Sequence, residues 1–306
     1  MSIRGIVGKI PSEGDFVRHN LIDPLPRGFD RWLAASVESA ATLRLPTSSD
    51  PLRFIFSDGN GTGVLVGVIA PSHDAVGRTY PIALFEWCRE ATSPSDLSSL
   101  PVVYQGFLES AVELAGAVQG TTAAGLKNAL ESLPHIGPDD RARARAVCEE
   151  TLDRATALAF EERVFEDGAA KRYYAYHTLL TALSVLAQGP SFGAPPTVDC
   201  PISTDVDQFA WLELFGRCLP RGASMPTVLW CEDEAPRMAV VLGAPSHLDY
   251  RFRTDDGKSD RLWPLTTTST KACESARERL LSVDPSFGVD HGSLRGLLER
   301  VARARQ

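Results

Sequence analysis

Ser72-His73-Asp74 sets a hydroxyl, an imidazole and a carboxylate side by side, the three groups of a nucleophilic hydrolase. A working triad is assembled in space from separate elements, and three consecutive loop residues rarely converge on one another. No Gly-x-Ser-x-Gly elbow accompanies them. Asp58-Gly59-Asn60-Gly61-Thr62-Gly63 has the glycine content of a phosphate cradle. Such a cradle must open a helix, so that free backbone N–H groups point at the anion. Here Val64-Leu65-Val66 follows, a strand pattern, and Asp-Gly and Asn-Gly ahead of a strand read as a hairpin turn at positive φ. None of the six histidines lies three or four residues from another histidine or a cysteine, which leaves no helical metal site. The six cysteines are scattered with no Cys-x-x-Cys pair, and they read as reduced and buried. His177 reads as a half-buried helix residue, and Glu149-Glu150 and Glu161-Glu162 as solvated helix faces. The residues thus predict no catalytic group, no metal and no cofactor.

Two other stretches carry more information. Gly8-Lys9-Ile10-Pro11-Ser12-Glu13-Gly14-Asp15-Phe16-Val17-Arg18 and Ala70-Pro71-Ser72-His73-Asp74-Ala75-Val76-Gly77-Arg78-Thr79-Tyr80-Pro81 each follow a β-like run. Each packs glycine, proline and unlike charges into about a dozen residues, the composition of a shaped loop. Two readings follow. In the architectural one, Gly14 and Gly77 take backbone conformations barred to other residues, and Asp15, Arg18, Asp74 and Arg78 are internal ion pairs or loop caps. In the other, those charges form a recognition surface.

The elements that hold these loops follow from periodicity. Ile3–Lys9 reads as a strand. Phe29, Trp32, Leu33, Ser36, Val37 and Ala40 form one stripe of a helix over about 28–43, with Trp32 as its core anchor and Pro46 and Pro51 at the exit. Arg53–Ser57, Val64–Ala70 and Tyr80–Trp87 read as strands, the middle one apolar enough to be covered on both faces. From about 102 to 189 the texture is helical. Leu126, Leu130 and Leu133 stack in one helix, and a helix beginning at Pro138 continues through Cys148 to Leu158. Another carries Tyr176 to Leu186 and stops at Gly189-Pro190, before a loop over 191–196. Tyr173-Tyr174-Ala175-Tyr176 spreads around that last helix, so core and partner contact both stay open. Thr197–Ile202 is strand-like, Asp205 caps a helix, and Thr227–Cys231 and Arg237–Leu242 form a hairpin about the turn 232–236. Asp255-Asp256-Gly257-Lys258 is the best boundary, and Leu294, Leu297, Leu298 and Val301 mark a closing helix. The expectation is an α/β fold, a layered α/β/α sandwich with a mixed β-sheet and an inserted helical segment, over residues 1–254, with a helical extension over 255–306.

At 306 residues, 43 % hydrophobic and 23 % charged, the composition is that of an ordinary globular protein. The net charge of −8, with no basic stripe, sets nucleic acid aside. No apolar run approaches the ~20 residues of a membrane span, and the N-terminus lacks the layout of a signal peptide. The expected location is the cytoplasm.

Both loops resemble signature segments of the TagF (ImpM) family of type VI secretion accessory proteins. That family opens with Gly-Lys-Leu-Pro-x-x-Gly-Asp-Phe-Val-x-Arg and later carries Pro-Ser-x-Asp-x-x-Gly-Arg-x-(Tyr/Phe)-Pro. Phe29-Asp30-Arg31-Trp32-Leu33, Phe54-Ile55-Phe56, Gly67 to Ser72, Phe209 to Leu212 and Pro226 to Trp230 are similar to further family segments, so the likeness runs from about residue 5 to 253. Trp230 is followed by Cys231 where the family has a second Trp. The resemblance implies an α/β sandwich and a cytoplasmic, non-enzymatic regulator that represses secretion post-translationally. The implied partner is the forkhead-associated scaffold protein (Fha) or another secretion component. It singles out Lys9, Gly14, Asp15, Arg18, Asp74, Gly77 and Arg78 as signature and partner-contact residues. The alternatives are a hydrolase or nucleotide-binding enzyme using loop 59–63 or 72–74, and a structural baseplate component. Calorimetry with ATP or GTP and magnesium is expected to be silent; micromolar binding would promote the enzyme.

Overall fold

Alternation along the central strands sets the layers. In β4 (Val64–Ala70) and β5 (Ile82–Cys88) every residue is buried. Val64, Val66, Val68, Ile82 and Leu84 join one core, while Leu65, Ile69, Ala83, Phe85 and Trp87 join a second on the opposite face. A strand covered on both sides needs a layer of helices on each. The computed structural model describes residues 3–44, 50–91, 93–165, 170–188, 196–232, 236–250, 261–288 and 292–305.

Among these residues the other strands are β1 (Ile3–Gly8), β2 (Val17–His19), β3 (Leu52–Phe56), β6 (Thr197–Pro201), β7 (Thr227–Cys231), β8 (Arg237–Val241) and β9 (Leu262–Pro264). They form one sheet in the order β2-β1-β5-β4-β3-β7-β8-β6-β9. The pairs are antiparallel except β6–β9, which is parallel, so the sheet is mixed. The expected layered α/β architecture is present, and the sheet is continuous from the first strand to the last.

One helix, α1 (Pro24–Thr42), covers the second core with Leu25, Phe29, Trp32 and Leu33. Trp32 sits against Phe29 and Phe56, and its indole N–H donates to the Ser246 carbonyl at 2.9 Å. The opposite face carries α2 (Leu100–Gly116), α3 (Ala123–Glu131), α4 (Pro138–Arg154), α5 (Ala157–Phe165) and α6 (Lys171–Gln188), inserted between β5 and β6. α7 (Asp205–Cys218), α8 (Thr270–Val283) and α9 (Leu294–Arg303) join the same core.

Several elements differ from expectation. α1 starts at Pro24 rather than Gly28, because prolines in a first turn forfeit no helical hydrogen bond. The helix expected to run through Leu158 is broken at Ala155–Thr156, leaving Leu158 half exposed. Tyr173 and Tyr176 are both buried in the core. All six cysteines are buried and free. The short strands β2 and β9 are additional to the expected elements, and α8 lies within 255–306, where a helical extension is expected. Pro46, Gly189-Pro190, the loop 191–195, the turn 233–235 and the boundary 255–258 lie outside the described residues.

One charged pair crosses the apolar interior. Arg4 and Glu86 are cross-strand partners in β1 and β5 and both are 1 % exposed, with Arg4 Nε donating to Glu86 Oε2 at 2.8 Å. The Arg4 Nη atoms reach the carbonyls of Leu130, Glu131, Leu133 and Pro134 at 2.6–3.1 Å, where α3 ends. A cation there satisfies carbonyls that the helix itself leaves unpaired. Removing one partner of a buried pair strands the other charge, so Arg4→Met should lower stability by about 3–5 kcal/mol in urea unfolding. The double variant Arg4→Met/Glu86→Leu should regain the larger part. A loss no smaller in the double variant would show that the α3 cap, not the ion pair, dominates.

Candidate functional site

The two signature loops leave the same end of the sheet, since β1 and β4 both lie beside β5 with Gly8 and Ala70 each opposite Ile82. They fold into one unit. The Ser72 hydroxyl donates to the Lys9 carbonyl at 2.7 Å and Ala75 N donates to the Glu13 carbonyl at 2.9 Å. Phe16 meets Tyr80 edge-on at 4.7 Å.

Asp74 is the hub. Its carboxylate, 1 % exposed as a residue, receives Lys9 Nζ at 2.9 Å and Arg78 Nε at 2.6 Å on Oδ2. Its Oδ1 accepts from the backbone N–H groups of Val76 and Arg78 at 3.1 and 2.8 Å. An aspartate that bonds the backbone two residues on closes a turn, and Gly77 completes it at φ +85°. Arg78 also bridges to the first loop, donating from Nη2 to the Gly14 carbonyl at 2.8 Å. Burial pushes the Asp74 carboxyl up, but the Lys9 ammonium, the Arg78 N–H and guanidinium and the Val76 N–H together hold it far below the usual carboxylate range. Burial, with Asp30 nearby, pushes the Tyr80 phenol up to about 12, so it stays protonated.

The structure therefore brings together Lys9, Gly14, Asp74, Gly77 and Arg78. Asp15 and Arg18 stand apart from the hub. The exposed Asp15 carboxylate accepts from Phe16 N at 2.7 Å, and Arg18 pairs with Asp30 of α1 at 3.2 Å while lying over the Phe16 ring. One expectation is corrected: Gly14 has no positive φ, and a Cβ there would meet nothing within 4 Å, so its conformation does not demand glycine. Sequence reasoning missed Glu13 and Ser12. Glu13 Oε1 accepts from Ala123 N at 3.4 Å and the Ser12 hydroxyl donates to the Thr121 carbonyl at 2.7 Å, tying the first loop to the start of α3. Nothing in local sequence marks contacts across more than a hundred residues.

The same geometry bears on the loops that invited chemistry. Ser72 donates to Lys9, Asp74 is engaged by two cations, and no hydrogen bond joins His73 to either among the described residues. Gly59, Gly61 and Gly63 have φ of +81°, +70° and +93° and link β3 to its antiparallel partner β4, a hairpin connection with no helix after it. Among the described residues no three His, Cys, Asp or Glu are placed to hold a metal ion, and no helix is long and apolar enough to cross a membrane.

Residues 5–133, which contain both loops and the hub, match the model of the TagF N-terminal domain, type VI secretion system-associated. The match takes in fewer than half of the chain's residues. The crystal structure of PA0076 from Pseudomonas aeruginosa PAO1 aligns with 19 % identity and a TM-score of 0.43, covering 86 % of this chain and 99 % of that one. No curated protein matches. The matched residues carry most of β1 and all of β2 to β5, and the last of these in the sheet order, β3, pairs with β7 from beyond residue 133.

Because the folded Asp74 carboxyl titrates below its unfolded value of about 3.9, its charged form contributes stability fully above that pH, and the contribution is lost as pH falls toward the folded value. Asp74→Asn should therefore melt below the natural protein at pH 7, and the gap should narrow steadily as pH drops below about 4. Equal melting temperatures at pH 7 would remove Asp74 from its role as hub.

Proposed function

We propose that this chain is a cytoplasmic, non-enzymatic accessory protein of the type VI secretion system. It acts post-translationally, as a repressor, by binding a protein partner, the forkhead-associated scaffold protein. The observation that carries this reading is the division of labour in the two signature loops. Lys9 and Asp74 are spent inside the hub, while the residues around them face outward. The Arg78 side chain is 62 % exposed although its guanidinium is pinned to Asp74, and Val76 at the loop tip is 72 % exposed. A rigid loop displaying an apolar tip beside an oriented guanidinium suits recognition, because little ordering entropy is lost on binding. Asp15, exposed, and Arg18, half exposed, extend the same surface toward α1.

The test uses the purified full chain and the forkhead-associated scaffold protein of the same secretion system, with affinity measured by calorimetry. Arg78→Ala and Val76→Asp should each weaken binding about tenfold or more, equivalent to about 1.4 kcal/mol, the scale of a central contact residue. Val76→Asp should leave the melting temperature unchanged, since the side chain touches solvent. If Arg78→Ala lowers the melting temperature and leaves affinity intact, the loop is architectural and the contact lies elsewhere.

A further inference from the structure

A second polar feature lies beside the first turns of α2 and α7, next to the β3–β7 pair. There a cavity of about 180 Å³ is lined by residues of all four elements, including the cross-strand partners Arg53 and Trp230. Its buried lining includes the apolar Leu108, Phe209 and Trp230, each at most 5 % exposed, beside the polar Ser98 and Gln208. Its open lining is charged. Glu109, Asp205 and Glu232 present three carboxylates against the one cation of Arg53, which is itself tied to Glu232 at 2.8 Å. Gln208, on the first turns of α7, also lines the cavity. It is 7 % exposed, and its amide nitrogen is buried with no acceptor among the described residues.

These properties specify an occupant. The volume falls short of the roughly 300–1,000 Å³ of sites for cofactors and drug-sized ligands; it holds one long side chain. Apolar walls under an acidic rim match a methylene stem that ends in a cation. The excess of carboxylates opposes an anion, even though two helix N-termini are close. We infer that this pocket receives an arginine or lysine side chain from a basic segment of a partner polypeptide. The stem lies against Phe209 and Trp230, and the cation faces Glu109 and Asp205. The pocket is built from both sides of residue 133, so it reads the junction between the matched residues and the rest of the chain. It uses none of the signature-loop residues, and its occupancy stands independently of the contact proposed above.

The probe is N-acetyl-Gly-Arg-Gly-amide, titrated into the full chain while the Gln208 side-chain amide signal is followed by NMR. Saturable shifts are expected with a dissociation constant on the order of 1 mM, the range open to a ligand of this size. The citrulline peptide, isosteric and uncharged, should bind about tenfold more weakly, as should the natural probe to Asp205→Asn. Asp205 is exposed, and folding of that variant is checked by its melting temperature. Arg78→Ala should leave peptide binding unchanged. Equal binding of the arginine and citrulline peptides, or no saturable shift from either, would overturn the proposal.

Discussion

An arginine buried one strand in from the edge of the sheet holds much of this molecule in place. Arg4 is bonded to Glu86 on the neighbouring strand and to the carbonyls that end α3. A lone charge there would be costly, and the pair survives only because nearly every donor of the guanidinium finds an acceptor. The consequence reaches along α3 to its other end, where Ser12 and Glu13 of the first signature loop hold Thr121 and Ala123. α3 is thus clamped at both ends by β1 and the loop that continues it. The path of that loop, and so the position of Lys9 against Asp74, depends on a contact at the opposite end of the strand.

The signature loops carry the architectural role their composition suggested, and some of their residues stay exposed. Asp74 and Lys9 are internal, in keeping with the rule that buried charge must be paired and hydrogen-bonded. Arg78 does both at once: its Nε closes the hub while the side chain remains largely in solvent. Such a group is an oriented cation rather than a flexible one, and orientation is what a long surface side chain ordinarily lacks.

What could be read in the sequence was mostly local. The loop residues 70–81 announce themselves because Asp, Gly and Pro shape their own turn, and β4 because its apolar run is unbroken. The stripe of Phe29, Trp32 and Leu33 gave α1 its inward face. What escaped was non-local or too short. β2 and β9 have three residues each, fewer than a pattern needs. Within the helical extension expected over 255–306, the bounds of α8 were not legible because it buries only Cys273, Ala276 and Leu280 among many polar residues. The hidden signal was Arg4 and Glu86, charged residues at positions whose alternation points into the core. Either one alone reads as a surface residue of an edge strand; only the register of β1 on β5 makes them a pair.

The pairing of β3 with β7 has a consequence for how the chain is made. Phe56 and Thr227 are about 170 residues apart. At roughly 5–20 residues per second on the ribosome, β7 emerges about 10–30 s after β3. Through that interval the strands of the N-terminal half present an open edge, flanked by the apolar Phe54 and Phe56, the kind of edge that recruits other chains. The long helical stretch between them makes up much of that interval, so the nascent chain is a natural client for a chaperone until the second half of the sheet arrives to seal it.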